Sequence, residues 1–261
     1  MLQAVIFDFD GVLCPTSIRQ EKWFKFYAER NDKEWPFSSF DEFLTSYNRA
    51  CALPGGVQNV YDELGLPCDM KDKSHPVWPA YIEFNQKNPS ELYEGVKETI
   101  EEIWSLGQLG KDPLRNRRLR LAINTSNSWK SIYNDLLKGG ILPYFDAHIT
   151  EETLRAYHGI DGDCMKKPAS VSLSFLLGLI GSEGEYTLHV GDTRNDLHAS
   201  QKIIRLNPQK PESVITVGAC YGYEGRVTLE QGVQLPSGET VHFNHLIDTP
   251  KELVEIVKNL L

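Results

Sequence analysis

The run Ala4-Val5-Ile6-Phe7-Asp8-Phe9 is apolar, rich in β-branched and aromatic residues, and ends in Asp10-Gly11; no second strand pattern follows until residue 119. A buried strand leaves its backbone donors and acceptors unpaired, so the partners of this one must come from far along the chain. They do. Strand patterns at 119–124, 146–149, 186–190 and 213–217 alternate with helical patterns at 129–138, 170–180, 194–204 and 250–260, and a helix at 95–106 leads into them. This alternation predicts a Rossmann-like α/β fold, a doubly wound parallel sheet.

The first strand belongs to that sheet, so the intervening stretch is an insertion: residues 1–14 and 93–261 form the core, and 15–92 a helical domain within it. In the insertion, 19–30 reads as a helix with Trp23, Phe24 and Tyr27 on one face. Ser39 and Glu42 make a capping-box pair opening a second helix through Leu44 and Tyr47, and 57–64 forms a weaker third. Pro76, Pro79 and Pro89 punctuate its end, where no further element is read. In the core, Gly139-Gly140 stops one helix, and Thr249, Pro250 and Glu252 open the last. The basic segment 107–118 and the stretch 232–245, a hairpin or loop, are less regular.

No apolar run approaches the roughly 18 residues of a membrane-spanning helix. The N-terminus lacks a basic leader and carries Asp8 and Asp10 in its apolar run, unlike a signal peptide. Five cysteines (14, 51, 68, 164, 220) without CxxC spacing point to reduced thiols in a cytoplasmic protein. A net charge of −9 disfavours non-specific nucleic-acid binding. The same charge would repel a phosphate substrate unless a divalent cation reversed the local field.

Ligands of parallel α/β sheets sit at the carboxyl ends of the strands, and unusual residues fall there. Asp8 and Asp10 close the first strand two residues apart, so both side chains can face one side. A carboxylate can attack phosphorus, and a second can protonate the leaving oxygen and later deprotonate water. Asp192 and Asp196, in Val-Gly-Asp-Thr-Arg-Asn-Asp, form a second acidic cluster at a strand end. Magnesium is held by few carboxylates plus water and substrate oxygens, which two such clusters supply. Thr125 and Ser126 end the strand Leu-Arg-Leu-Ala-Ile-Asn at a strand-to-helix junction suited to phosphate oxygens, and equally to an ordinary helix cap. Lys167 precedes a helix in a loop, where an ammonium could neutralise Asp8 and a phosphoryl group; Pro168 favours it over Lys166.

Taken together, VIFDFDGVL, INTSN, KKPAS and VGDTRND resemble the four motifs of the haloacid dehalogenase-like hydrolase superfamily, and ACYGYEG (219–225) is similar to a loop of its phosphoglycolate phosphatase-like branch. The resemblance implies Asp8 as nucleophile, Asp10 as general acid and base, and Thr125 and Lys167 as phosphate-holding groups. It implies magnesium bound by Asp8, the Asp10 carbonyl and Asp192, with Asp196 assisting through water, and it makes 15–92 a type 1 helical cap. An aspartate two residues after the nucleophile argues against the family's dehalogenases and phosphonatases. The expected reaction is hydrolysis of a small phosphorylated metabolite under cap closure. An intramolecular phosphoryl transferase of the sugar-phosphate mutase kind is the alternative, and a catalytically idle binding module is opposed by the intact Asp8, Asp10, Lys167 and Asp192 set. The substrate and the oligomeric state are not legible.

Other residues read as structural. His189 is expected to be packed and hydrogen-bonded, His198 to be packing or surface, Arg115, Arg117, Arg118 and Arg120 to be a solvated face, and Trp23, Phe24 and Tyr27 to be core of the insertion.

Overall fold

A computed structural model describes residues 1–53, 55–72, 74–109, 119–159, 164–203 and 214–261. The chain divides into two compact units, residues 1–15 with 91–261, and residues 16–90.

The larger unit is built on six parallel strands: β1 (Ala4–Phe7), β2 (Arg120–Asn124), β3 (Ala147–Ile149), β4 (Thr187–Gly191), β5 (Ile215–Ala219) and, beyond a small hairpin, β8 (His245–Ile247), in the order β3-β2-β1-β4-β5-β8. β1 lies in the middle, pairing Phe7 with Ile123 of β2 and with Val190 of β4. Every residue of β1 is buried, which is why it reads as a continuous apolar run rather than an alternating one. On one face Val5, Phe7, Leu121, Ile123 and Val190 pack against helices α5 (Val96–Leu109), α6 (Trp129–Lys138) and α11 (Glu252–Leu260). On the other, Ile6, Ala122 and Ile149 pack against α7 (Glu151–His158) and α8 (Val171–Ile180) through Leu154, Leu173 and Leu176. The sheet is therefore wound on both sides, as its alternation predicts. Helix α9 (Arg194–Gln201) follows β4, and α10 (Gly225–Glu230) follows β5.

Three core elements depart from the sequence reading. Helix α7 has too short an apolar stripe to register, and is set by Thr150 and Thr153, whose side chains cap it reciprocally. The strand expected at 213–217 runs from Ile215 to Ala219; residue 213, like residue 204 of the expected 194–204 helix, lies outside the described residues. The 232–245 stretch does form a hairpin, β6 (Val233–Gln234) with β7 (Thr240–Val241), but its end continues into β8, an edge strand too short to show a pattern. The basic 107–118 segment, with Arg115, Arg117 and Arg118, lies outside the described residues from 110 onward.

The smaller unit is helical: α1 (Thr16–Arg30), α2 (Phe40–Ala52), α3 (Gln58–Glu63) and α4 (Val77–Lys87). Its core is aromatic. Trp23 stacks on Tyr27 with ring centroids 4.9 Å apart and donates its indole N–H to the Tyr61 hydroxyl at 2.7 Å, while Phe24 packs on Phe43. Trp23, Phe24 and Tyr27 are thus packing groups. Helix α4 was not expected in so proline-rich a stretch. Pro79 falls in its first turn, where the missing N–H has no intrahelical acceptor to lose. The Ser39–Glu42 box is half made: Ser39 Oγ accepts the Glu42 N–H, but the Glu42 carboxylate takes the N–H and hydroxyl of Ser38 instead.

Candidate active site

The carboxyl ends of β1, β2 and β4 meet at the centre of the sheet, where strand order turns outward from β1 in both directions. Asp8 follows the last residue of β1, and its N–H donates to the Val190 carbonyl of β4 at 2.9 Å. Its Oδ1 accepts the Phe9 N–H at 2.6 Å, and its Oδ2 lies 2.6 Å from the Lys167 ammonium. Lys167 arrives from the loop before α8 and also pairs with Asp196 Oδ1 at 2.6 Å. Lys166 instead lies 3.9 Å from Glu151.

Asp192 follows β4 directly and is fully buried. Gly11 (φ +75°) and Gly222 press against it, and a Cβ at either would collide with its carboxyl group. That close approach is what the Asp-Gly exit from β1 and the Gly of Ala-Cys-Tyr-Gly-Tyr-Glu-Gly provide. Asp192 Oδ2 accepts the Tyr223 N–H at 2.8 Å, while Oδ1 is buried with no hydrogen-bond partner among the described residues. Asp196, in the first turn of α9, receives the Thr193 N–H at 3.1 Å and its hydroxyl at 2.7 Å. Asp8, Asp192 and Asp196 can each offer a carboxylate oxygen with all three atoms within 4.8 Å of one another.

Burial is the leading influence on this cluster. It pushes the Asp8 carboxyl up to about 7, against Lys167, with Asp196 adding to the rise. It raises Asp192 well above the usual carboxylate range, helped by Asp196 and Asp8. Asp196 goes the other way: burial opposes its charge, but Lys167, then His189 and the Thr193 hydroxyl, hold it below its ordinary value. Burial likewise opposes the charge on Lys167, which Asp196 and Asp8 more than restore, so it stays an ammonium.

Asp10, two residues on from Asp8, is held from the end of β2. The Asn127 amide donates to its Oδ1 and Oδ2 at 3.2 and 3.3 Å, and the Thr125 hydroxyl reaches Oδ2 at 3.5 Å. Thr125 is buried at the end of β2, and Ser126 beside it is exposed. The structure thus brings four of the residues expected from sequence, Asp8, Lys167, Asp192 and Asp196, into one buried cluster and sets Asp10 beside Thr125, with Ser126 exposed. The sequence reading assigned nothing to Asn127, whose signal was present in Thr-Ser-Asn but masked by an ordinary cap motif. It also passed over Asn124, fully buried on β2, whose side-chain amide has no partner among the described residues.

The bland residues stay bland. His189 shares its Nδ1–H with Ser200 Oγ at 2.8 Å; that hydroxyl donates onward to the Asp196 carbonyl, and burial holds the imidazole down at about 4, neutral. His198 is half-buried on α9. Arg120 pairs at the surface with Asp146 at 3.3 Å.

With this geometry in place the comparisons are decisive. A family model, the haloacid dehalogenase-like hydrolase, matches residues 2–203. The chain belongs to that family. No curated protein matches its sequence. Among solved structures it is similar to a Thermotoga maritima protein assigned as a β-phosphoglucomutase (19% identity, all of both chains covered, TM-score 0.65). It is similar to a Haemophilus somnus protein assigned as a phosphoglycolate phosphatase (19% identity, 98% of this chain and 97% of that one, TM-score 0.65). A third is YfnB from Bacillus subtilis, assigned as a hydrolase of the same superfamily and bound to magnesium (14% identity, 98% of each chain, TM-score 0.60). At these identities the likeness carries the fold. The six-stranded sheet is the fold of haloacid dehalogenase-like hydrolases, and the chain is a hydrolase enzyme of that family. No helix among the described residues is long and apolar enough to cross a membrane.

Proposed function

We propose that the chain is a magnesium-dependent phosphatase that hydrolyses a small phosphate monoester through an aspartyl-phosphate on Asp8. The observation that carries this reading is the buried Asp8 carboxylate, paired with Lys167 at 2.6 Å while Asp10 stands two residues on, beside Thr125. In the first step an Asp8 oxygen attacks phosphorus, the ester P–O bond breaks, and Asp10 gives its proton to the departing oxygen. In the second, water attacks the same phosphorus, Asp10 takes its proton, and the Asp8–phosphorus bond breaks to release phosphate. Lys167 neutralises Asp8 and an approaching phosphoryl oxygen, and in the turn between β2 and α6 Thr125 offers its hydroxyl and Ser126 its hydroxyl and backbone N–H to the other oxygens.

The residues fit a hard divalent cation. Three carboxylates converge, the Asp192 Oδ1 has no other partner among the described residues, and all the donors are oxygens. Asp8, the Asp10 carbonyl and Asp192 would hold it; Asp196, already engaged by Lys167 and Thr193, would assist through water. When bound, the cation supplies the positive charge that draws a phosphate into an acidic site. The Bacillus relative's bound magnesium supports this choice of metal.

A screen of phosphorylated metabolites, with magnesium and with chelator, tests the reading. Phosphate release confined to magnesium is expected; no release from any ester would overturn it. Transfer of the phosphoryl group to a second hydroxyl of a hexose 1-phosphate, without release, would favour the mutase alternative that the Thermotoga relative suggests. The partner is accordingly a small phosphorylated molecule, and the net charge of −9 keeps nucleic acid out of the proposal.

A further inference from the structure

We propose that Asn127 is a positioning residue that orients the Asp10 carboxylate for its proton transfers; this rests on the reading of Asp10 as general acid and base. The side chain of an aspartate turns freely about its last bond, so a catalytic carboxylate needs outside contacts to hold one plane. Asn127 supplies them to both Asp10 oxygens, at 3.2 and 3.3 Å.

Asn127 is itself fixed on three other sides. Its backbone N–H donates to the Thr125 hydroxyl at 3.0 Å, and its backbone carbonyl accepts the Glu151 N–H at 3.0 Å. Its side-chain oxygen accepts the Ser128 N–H at 2.7 Å. That last bond decides which way the amide faces: the oxygen must point at Ser128, so the NH2 must point at Asp10. The next turn is tied down as well. The Glu152 carboxylate accepts the N–H groups of Trp129 at 2.7 Å and Lys130 at 3.4 Å, joining the start of α6 to the start of α7. An amide held this way is preorganised, so it need not be ordered during the reaction. It gives up no proton of its own; the proton moves between Asp10 and the leaving oxygen or water.

The test uses the full chain with magnesium and compares an alkyl phosphate with an activated aryl phosphate in the burst phase. In Asn127→Ala, phosphoenzyme formation from the alkyl ester should slow by about tenfold or more, a part of what positioned proton transfer contributes. The aryl ester, whose leaving oxygen hardly needs a proton, should lose less than about threefold, with KM little changed. Asn127→Leu keeps the bulk and removes the donor without setting a second charge beside Asp10, and should show the same contrast. Adding Asn127→Ala to Asp10→Asn should cost almost nothing further, because both remove one function. Equal losses on the two esters, a rise in KM at unchanged kcat, or an additive double substitution would overturn the assignment. If the wild-type chain releases phosphate from neither ester, the phosphatase reading itself has failed. The pairing is still decided by urea denaturation, where Asp10→Asn and Asn127→Ala should shift the midpoint non-additively and additive shifts would refute it.

Discussion

The Lys167 ammonium lies 2.6 Å from Asp8 Oδ2 and 2.6 Å from Asp196 Oδ1, so one buried cation is shared by carboxylates from two different strand ends. Removing it should leave three buried acids facing one another. In metal-free protein at pH 8, Lys167→Met is expected to cost about 3–5 kcal/mol, the usual cost of breaking a buried pair. The loss should shrink at pH 5, because the acids can then take up protons in the folded state. Urea denaturation at the two pH values checks this, and an equal loss at both would count against the shared-cation account.

Asp8→Asn should abolish turnover and leave the fold intact, since it removes the nucleophile with little change in volume. Kinetics and circular dichroism measure the two halves. A variant keeping even about a tenth of the wild-type rate, with mass spectrometry showing no deamidation, would remove Asp8 from its role.

Without a cation, burial holds Asp8 at about 7 against its ordinary 3.8, and Asp192 rises in the same direction. A raised carboxylate means that the folded state binds more protons than the unfolded chain between those values, so stability falls as pH climbs from about 4 to about 7. Asp196, which is lowered, opposes this only at more acidic pH. Magnesium binds the ionised acids and should restore what is lost. The melting temperature gained on adding magnesium to chelator-treated protein should therefore be larger at pH 8 than at pH 5. The same gain at both would show that the cation does not meet these carboxylates. Magnesium should also restore activity after chelation and calcium should not, because calcium prefers more ligands at longer distances.

Asp10→Asn separates acid–base work from metal holding. The backbone carbonyl survives the change, so magnesium binding, followed by calorimetry, should persist. The burst of phosphoenzyme formation should fall by roughly 10²–10⁴-fold with an alkyl ester and much less with an activated aryl ester. Steady-state rates would hide the contrast, because the second step also needs the base. Equal burst losses would make Asp10 a structural residue.

Much of the cluster was legible because its residues break local rules. Two acids closing an apolar strand, as Asp8 and Asp10 do, or following another, as Asp192 does, are costly unless they are used. Asn127 was not legible, since Thr-Ser-Asn before Ser128 is also what an ordinary helix start looks like, and only the approach of the β1 exit turn shows where its amide points. Helix α7 and strand β8 were missed for a similar reason. Both are short: apart from the Thr150–Thr153 cap of α7, they are held by neighbours, Leu154 packed in the core and Ile247 alongside Ala219, rather than by an apolar pattern of their own.

The sequence by itself marked strands β1 to β5 of the sheet, the inserted helices α1 to α3 and the strand ends where the acids fall, because hydrophobic period and turn chemistry act over a few residues at a time. Only the tertiary structure decided how those acids are charged. Asp8, Asp192 and Asp196 are the same kind of group, yet two are raised and one is lowered. Burial acts on all three, and Lys167 lies against both Asp8 and Asp196. His189 and the Thr193 hydroxyl also hold Asp196 down, while the charge on Asp196 pushes Asp8 and Asp192 up. Desolvation and Coulomb interaction depend on distances between residues far apart in the chain, and those distances exist only once the strands are paired.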